Sequence, residues 1–314
     1  MSDDDETLRE VMETSAEGIP AVGSTVRDRF GTEEIYQRVV AYGDHELTAG
    51  SRELVFSGIA AGFAISITFL VYVSLYGAFD GAPVVSQLLY PLGFIYIILG
   101  GYQLYTENTL PPVTLVLERL ASVTALGRVF GLVLFGNALG ATIGVVILFY
   151  GGVLDGAAYD AGVLIGERAL EQGWWALFFK AVFAGLIVAG VVWMDFAAGD
   201  TVSRLVLIYL AFLTIPVVGL YHVVVSVSEL LFLVFHAGLD LSLLASGLLE
   251  FILPVLLGNT LGGILLVTVV NSYQVAERKV AAMRDPGAED PLSIPEWLAG
   301  GVVGRSYVPP NREE

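Results

Sequence analysis

The chain has 314 residues, a mean hydropathy of +0.74 and only 15% charged side chains. Counting glycine and leaving out tyrosine, about 62% of it is apolar, against about 45–50% in soluble domains, which excludes an ordinary water-soluble fold and points to the bilayer as solvent. A net charge of −17 argues against a nucleic-acid partner, and the absence of cysteine excludes disulfides, thiolate metal sites, iron–sulfur clusters and cysteine nucleophiles.

Residues 1–53 read as an acidic tail holding 13 of the 32 Asp and Glu residues. Its opening has no apolar run, so it does not read as a signal peptide. The Glu33–Val40 pattern allows a short amphipathic helix on the membrane or on a neighbouring subunit, while residues 1–30 equally suit a solvated, disordered tail. Six apolar stretches follow, at about 54–76, 87–117, 127–150, 174–194, 202–236 and 247–273, each near or above the roughly 20 residues that span hydrocarbon. The fold class expected over 54–273 is therefore an all-α integral membrane domain of six helices. Residues 274–314 form a second tail, which Pro286, Pro291, Pro295, Pro309 and Pro310 mark as irregular.

The second and fifth stretches are too long for one straight helix, and both are interrupted. The second contains Thr106-Glu107-Asn108-Thr109 before Pro111-Pro112, and the fifth contains Thr214-Ile215-Pro216 before Gly219. Proline removes a backbone donor and disfavours helix just before it. Broken spans survive in lipid only where protein or a polar path satisfies the freed groups, and a pair of them points to a transport site. Arg119, Arg128, Arg204, Arg278 and Lys279 lie on one side, against Arg168 and Lys180 near the other; this bias places both termini in the cytoplasm of a plasma-membrane protein. The connections on the other side, about 77–86, 151–173 and 237–246, are too short for a further domain.

The chain also repeats. Gly136-Asn137-Ala138-Leu139-Gly140 returns as Gly258-Asn259-Thr260-Leu261-Gly262, an offset of 122. The same offset pairs Thr106-Glu107 with Ser228-Glu229 and brings Ala61-Gly62 close to Ala184-Gly185. Three spans per half make the two halves face opposite ways, with a substrate path at their interface.

Several motifs resemble the formate/nitrite transporter family, in its Thr-Glu-Asn-Thr branch. Ser57–Ile67 is similar to its first helix and Leu104-Tyr105-Thr106 to its Leu-Phe-Thr loop. Gly219-Leu220-Tyr221-His222 resembles its Gly-x-x-His, and Leu257–Gly263 its sixth helix. The resemblance covers about residues 54–273. It implies an aquaporin-like protomer, a homopentamer with one pore per subunit, and passage of small monovalent anions such as formate or nitrite. It maps the family's central histidine and threonine to His222 and Thr106, the hydrophobic constrictions to Tyr105, Tyr90, Phe94 and Ile215, and Leu104 to the loop beside the pore. Two positions depart from the family pattern: Gly185 replaces an asparagine, and Glu107 replaces a small neutral residue.

Of the three histidines, His222 alone lies well inside an apolar stretch, with His236 at the very end of the same one; inside it an ionisable group can trade protons with a weak acid or sit neutral on a backbone carbonyl. Ser226 and Glu229 follow on its helix face; Glu229 can set the charge on His222, pair with Lys180, take protons itself, or stay neutral for packing. Thr106 can donate to an anion and accept from His222. Glu107 reads first as a cap for the following half-helix and second as a substrate contact. Asn137 and Asn259 read as interhelical links. Lys180 can attract anions or snorkel to the interface. No nucleotide, cofactor or metal motif occurs, so neither an enzyme nor a cofactor is expected. The leading reading is a channel or transporter for weak-acid anions, with protons as partners. The alternatives are the same fold passing a neutral or other small solute, a non-transporting membrane scaffold, and an intramembrane enzyme using His222 and Glu229.

Overall fold

A computed structural model describes residues 30–274 and 291–304. The opening acidic stretch and most of the proline-marked C-terminal tail lie outside them. Among the described residues, four helices are long and apolar enough to cross a membrane: α2 (Ser51–Ala78), α5 (Val123–Tyr150), α7 (Trp174–Ala197) and α10 (Leu241–Gln274). Two further crossings are each made of two pieces: α3 (Leu92–Gly100) with α4 (Pro111–Leu117), and α8 (Thr201–Val217) with α9 (Val223–His236). The breaks fall where the prolines and glycines put them. In α10, a π-helical turn at Leu248–Ile252 runs into Pro254, whose missing N–H leaves a carbonyl for the wider turn to accommodate.

Glycine zippers pack the long helices in pairs. A Cβ at Gly62 would overlap the Asn137 carbonyl oxygen, and one at Gly140 the Ile59 carbonyl, so α2 and α5 touch backbone to backbone. In the second half Gly185 meets the Asn259 carbonyl and Gly262 the Val182 carbonyl, which joins α7 to α10 in the same way. A side chain as large as asparagine has no room at Gly185. Away from these seams the helices present Phe135, Ile143, Ile147, Phe179, Phe183 and Leu210 outward, an apolar surface suited to lipid or to a second copy.

Two elements differ from the sequence-based expectations. The tail helix α1 (Thr32–Thr48) packs on its own chain, a placement not read from the sequence: Ile35, Tyr36, Val39, Val40 and Leu47 are buried, and Gly43 lets it cross the Pro111 carbonyl closely. The connection after α5 holds a 15-residue helix, α6 (Gly156–Leu170), at the opposite end of the bundle. Its buried residues, Ala161, Gly162, Ile165, Gly166 and Ala169, follow a 3.6-residue period that the flanking charges obscure. A short α11 (Ile294–Ala299) accepts Pro295 in its first turn, where its ring costs nothing, and Trp297 Nε1 donates to the Val116 carbonyl at 2.7 Å.

Candidate functional site

The two breaks are built alike. Gly101 (φ 67°) ends α3 and Gly219 (φ 72°) follows α8, each in the left-handed region that glycine enters without strain. The next residue closes the helix end with a Schellman bond: Tyr102 N–H donates to the Ile97 carbonyl at 3.0 Å, and Leu220 N–H to the Ile215 carbonyl at 2.8 Å. A fully buried asparagine then clamps each loop. Asn137 accepts from Tyr105 N–H at 2.8 Å and donates to the carbonyls of Gln103 and Gly58, both at 2.9 Å. Asn259 accepts from Val223 N–H at 2.8 Å and donates to Tyr221 at 3.0 Å and Ala181 at 2.8 Å. The asparagines thus satisfy the backbone groups that broken spans expose, which is the linking role read for them from sequence.

These bonds correct the repeat register. The clamps bracket Leu104 in one half and His222 in the other, an offset of 118 that also relates Gly101 to Gly219 and Phe94 to Phe212. Thr106-Glu107 and Ser228-Glu229 are therefore not equivalent pairs; the offset is 118 at the loops and 122 at the asparagines, because the second half has four more residues between loop and asparagine. Phe94 and Phe212 stack at a centroid separation of 3.9 Å, both fully buried. Phe212 was missed from sequence because the wrong offset pairs Phe94 with Pro216.

His222 is 1% exposed and caps the start of α9. Its Nε2 is hydrogen bonded to Thr106 Oγ1 at 2.8 Å, its ring meets Phe94 edge-on at 4.9 Å, and its Nδ1 is buried without a partner. The structure therefore brings His222 and Thr106 together across the two loops. Leu104 and Ile215 are fully buried, and Tyr105 directs its hydroxyl to Thr260 Oγ1 at 2.7 Å.

A chamber lies on either side. The one facing α6 has a volume of about 120 Å³ and is lined by Tyr72, Tyr90, Tyr221, His222, Ser226 and Glu229, with Arg168 and Gly219 exposed at its rim. Ser226 and Glu229 thus meet His222 here as their spacing suggested, and Tyr90, which the family resemblance assigned to a constriction, lines the same chamber. Arg168, held to Tyr76 by a 2.5 Å bond to its hydroxyl, was not singled out as a pore residue from sequence; with α6 unread, its place on that helix face had no signal. The chamber beside α1 has about 310 Å³ and includes Tyr42, Glu46, Glu107, Asp195 and Arg204. The chain runs from Tyr90 in the first chamber through α3 to Ile98 in the second, with Phe94 midway, so the Phe94–Phe212 stack stands between them.

Two expected roles change. Glu107 does not cap a half-helix: it lines the second chamber with its Oε1 unpartnered, because a 3₁₀ turn intervenes before α4 and Pro111 already occupies the first helical position. Lys180 lies outside both chamber linings and does not pair with Glu229; its Nζ donates to Gln172 Oε1 at 2.9 Å and sits 5.7 Å over the Tyr221 ring. Glu46, not recognised from sequence, is 1% exposed: Asn108, turned with its nitrogen toward it, donates to Oε1 at 3.1 Å, and Oε2 has no partner. Burial pushes its carboxyl up to about 8. Arg204 holds Asp195 through two bonds of 2.6 and 2.8 Å. Among the described residues no group of three or more His, Asp or Glu is arranged to hold a metal ion.

Comparison with known proteins agrees with this architecture. A family profile described as formate/nitrite transporter matches residues 33–273. Inner membrane protein YfdC of Escherichia coli is 31% identical over 246 residues, covering 77% of this chain and 78% of that protein. Formate channel FocA of Haemophilus influenzae is 28% identical over 173 residues, 52% of this chain and 58% of its own. Among solved structures, one titled FNT family ion channel superposes with a TM-score of 0.68 at 18% identity, over 77% of this chain and 99% of that one. A pentameric formate channel with formate bound gives 0.60 at 20%, over 73% and 98%. The asparagine-clamped breaks, the inverted halves and the match across both place this multi-pass membrane protein in the formate/nitrite transporter family.

Proposed function

We propose that the protein is a membrane channel or transporter for small monovalent weak-acid anions of the formate or nitrite kind, and that His222 and Thr106 form its central site. The observation that carries this reading is the 2.8 Å bond between Thr106 Oγ1 and His222 Nε2, made where two spans break and between two chambers. Moving a bare carboxylate past Phe94, Phe212 and Leu104 carries a large desolvation cost, whereas the protonated acid loses far less. An imidazole at the constriction can hand the anion a proton, and the Thr106 hydroxyl can hold the anion in line. The N-terminal end of α9, at His222, favours negative charge there.

Family relationship supports a homopentamer with one pore per subunit, since a relative's structure is titled pentameric, and the apolar faces of α5 and α7 suit such packing. The Lys and Arg bias supports both termini in the cytoplasm. The Glu46–Glu107–Asp195 chamber then opens inward and the Tyr72–Glu229 chamber outward. Three inner carboxylates against one arginine favour a second reading, in which the solute crosses neutral.

Flux into proteoliposomes separates the two. Formate and nitrite uptake that rises as external pH falls, and is abolished by His222→Ala and cut by Thr106→Val, is the expected result. Permeation indifferent to pH and to His222→Ala overturns the central-site reading in favour of a neutral solute. A folded pentamer that moves no small solute overturns transport altogether.

A further inference from the structure

The outer chamber holds three polar atoms with no partner: His222 Nδ1, Ser226 Oγ and Glu229 Oε2. They follow one another at four- and three-residue spacing along α9, so they form one stripe on one helix face. All three residues line the same cavity. In a buried setting an unpartnered hydroxyl, ring nitrogen and carboxyl oxygen each cost stability, and they persist together where they serve something that passes through. A volume of about 120 Å³ gives room for about four waters, each needing polar partners of this kind. At the rim the chamber reaches solvent beside exposed Arg168.

We propose that Glu229 is the proton-loading residue of the outer chamber, and that it supplies His222 through Ser226 and water. This inference rests on the central-site reading above and extends it by giving the proton a route. An external hydronium gives its proton to the Glu229 carboxylate, leaving water and a carboxylic acid. The acid passes that proton along the Ser226 hydroxyl and chamber water to Nδ1 of the neutral ring, forming imidazolium and regenerating the carboxylate. The imidazolium gives the proton on Nε2 to the incoming anion, which becomes the neutral acid, and the ring returns to neutrality as the other tautomer. Proton exchange through chamber water returns the ring to its first tautomer, with Nδ1 bare and Nε2 protonated, so that one proton enters and one leaves with each anion and no other reactant is consumed.

The groups facing Glu229 are consistent with that task. From α2 come Tyr72 and Tyr76, from the segment before α3 Tyr90, from the loop Tyr221 and His222, and from α6 Arg168. Four of these six are phenols, whose hydroxyls both donate and accept, so they can pass a proton along. Arg168 is fixed on the Tyr76 hydroxyl at the rim, where it draws anions toward the mouth without sealing the carboxyl in an ion pair. Lys180 is turned away to Gln172.

The test is the external-pH profile of formate uptake into proteoliposomes, with internal pH followed by an entrapped dye, for wild type, Glu229→Gln, Glu229→Asp, Ser226→Ala and His222→Ala. When the bulk is acidic the substrate arrives protonated and the relay matters little; near neutrality it matters most. Glu229→Gln is expected to lose uptake about a hundredfold at neutral pH, the lower end for one proton-transfer group, but only about twofold at acidic pH. Glu229→Asp should restore part of the neutral limb, and Ser226→Ala should show a smaller loss on the same limb. A Glu229→Gln profile that superimposes on wild type, or is lowered by one constant factor at every pH, overturns the relay. If Glu229→Gln does not assemble, Ser226→Ala decides by the same criterion. Wild-type flux that His222→Ala abolishes, combined with a uniform Glu229→Gln profile, defeats this inference alone. A wild type that carries neither formate nor nitrite defeats the central-site reading and the relay with it.

Discussion

The asparagine clamp invites the sharpest perturbation. Asn259→Ala removes the acceptor of Val223 N–H at 2.8 Å and the donor to the Ala181 and Tyr221 carbonyls at 2.8 and 3.0 Å, all around a side chain with no exposure. The orphaned N–H costs about 1–3 kcal/mol, and each carbonyl that loses its bond adds about 1 kcal/mol, so the expected destabilisation is roughly 3–5 kcal/mol. Unfolding in mixed detergent and SDS, followed through the 4 tryptophans, reads this directly. The same change frees the backbone on both sides of His222, so flux should fall more than the folded fraction does. Asn137→Ala should destabilise to a similar extent, because its three bonds are matched in length, but it loosens Leu104 instead of the imidazole. An Asn259→Ala protein within about 1 kcal/mol of wild type and with full flux would refute the claim that the clamp holds the break open.

The glycine seam is testable by the smallest possible addition. Gly185→Ala drives a methyl into the Asn259 backbone and should cost about 1–3 kcal/mol or prevent assembly, whereas Gly190→Ala on the same helix meets nothing within 4 Å and should be neutral or slightly stabilising by thermal melting and size-exclusion profile. Docking of α1 should depend on pH through Glu46. Its carboxyl binds a proton more tightly buried, at about 8, than free, at 4.5, so docking is strongest below 4.5 and weakens as pH rises toward 8. Hydrogen exchange over residues 32–48, corrected for its intrinsic pH dependence, should show that slope, and Glu46→Gln should abolish it. Trp297→Ala removes the bond to Val116 and should speed proteolysis within residues 291–304, while α5 and α10 remain protected.

The apolar lengths and the proline positions placed all six crossings and both breaks, because hydrocarbon thickness and a missing N–H act through the local chain alone. The meeting of His222 with Thr106 was also legible, through family resemblance rather than through spacing. What escaped depends on non-local geometry. The loop register follows from where Asn137 and Asn259 reach, which no linear offset encodes when loop and helix differ by four residues. Glu46 sits in a tail whose charges read as solvated, and only the docking of α1 buries it. Glu107 reads as a cap by its place in sequence, but the 3₁₀ turn moves the helix start to Pro111 and leaves the carboxyl in the chamber.

The inverted repeat supplies the frame, and the departures from symmetry supply the chemistry. Phe94 and Phe212 are equivalent, stack on one another, and close the path without charge. Leu104 and His222 are equivalent too, held by matched clamps, yet one is aliphatic and the other, in the function proposed above, carries a proton. After His222 the chain enters α9 at once, so the ring stands at the positive end of a 14-residue helix. After Leu104 the helix is delayed to Pro111, and Tyr105 and Thr106 stay outside it. That delay leaves the Thr106 hydroxyl free of a helical turn, able to reach across to Nε2 while its own carbonyl accepts from Thr109 Oγ1 at 2.7 Å. A perfectly symmetric chain would place two histidines or two leucines at the centre: two imidazoles would compete for one anion, and two leucines would leave no group to neutralise it. Under the proposed function, one of each gives an apolar barrier with a single proton donor, the arrangement that lets a weak acid cross as its neutral form.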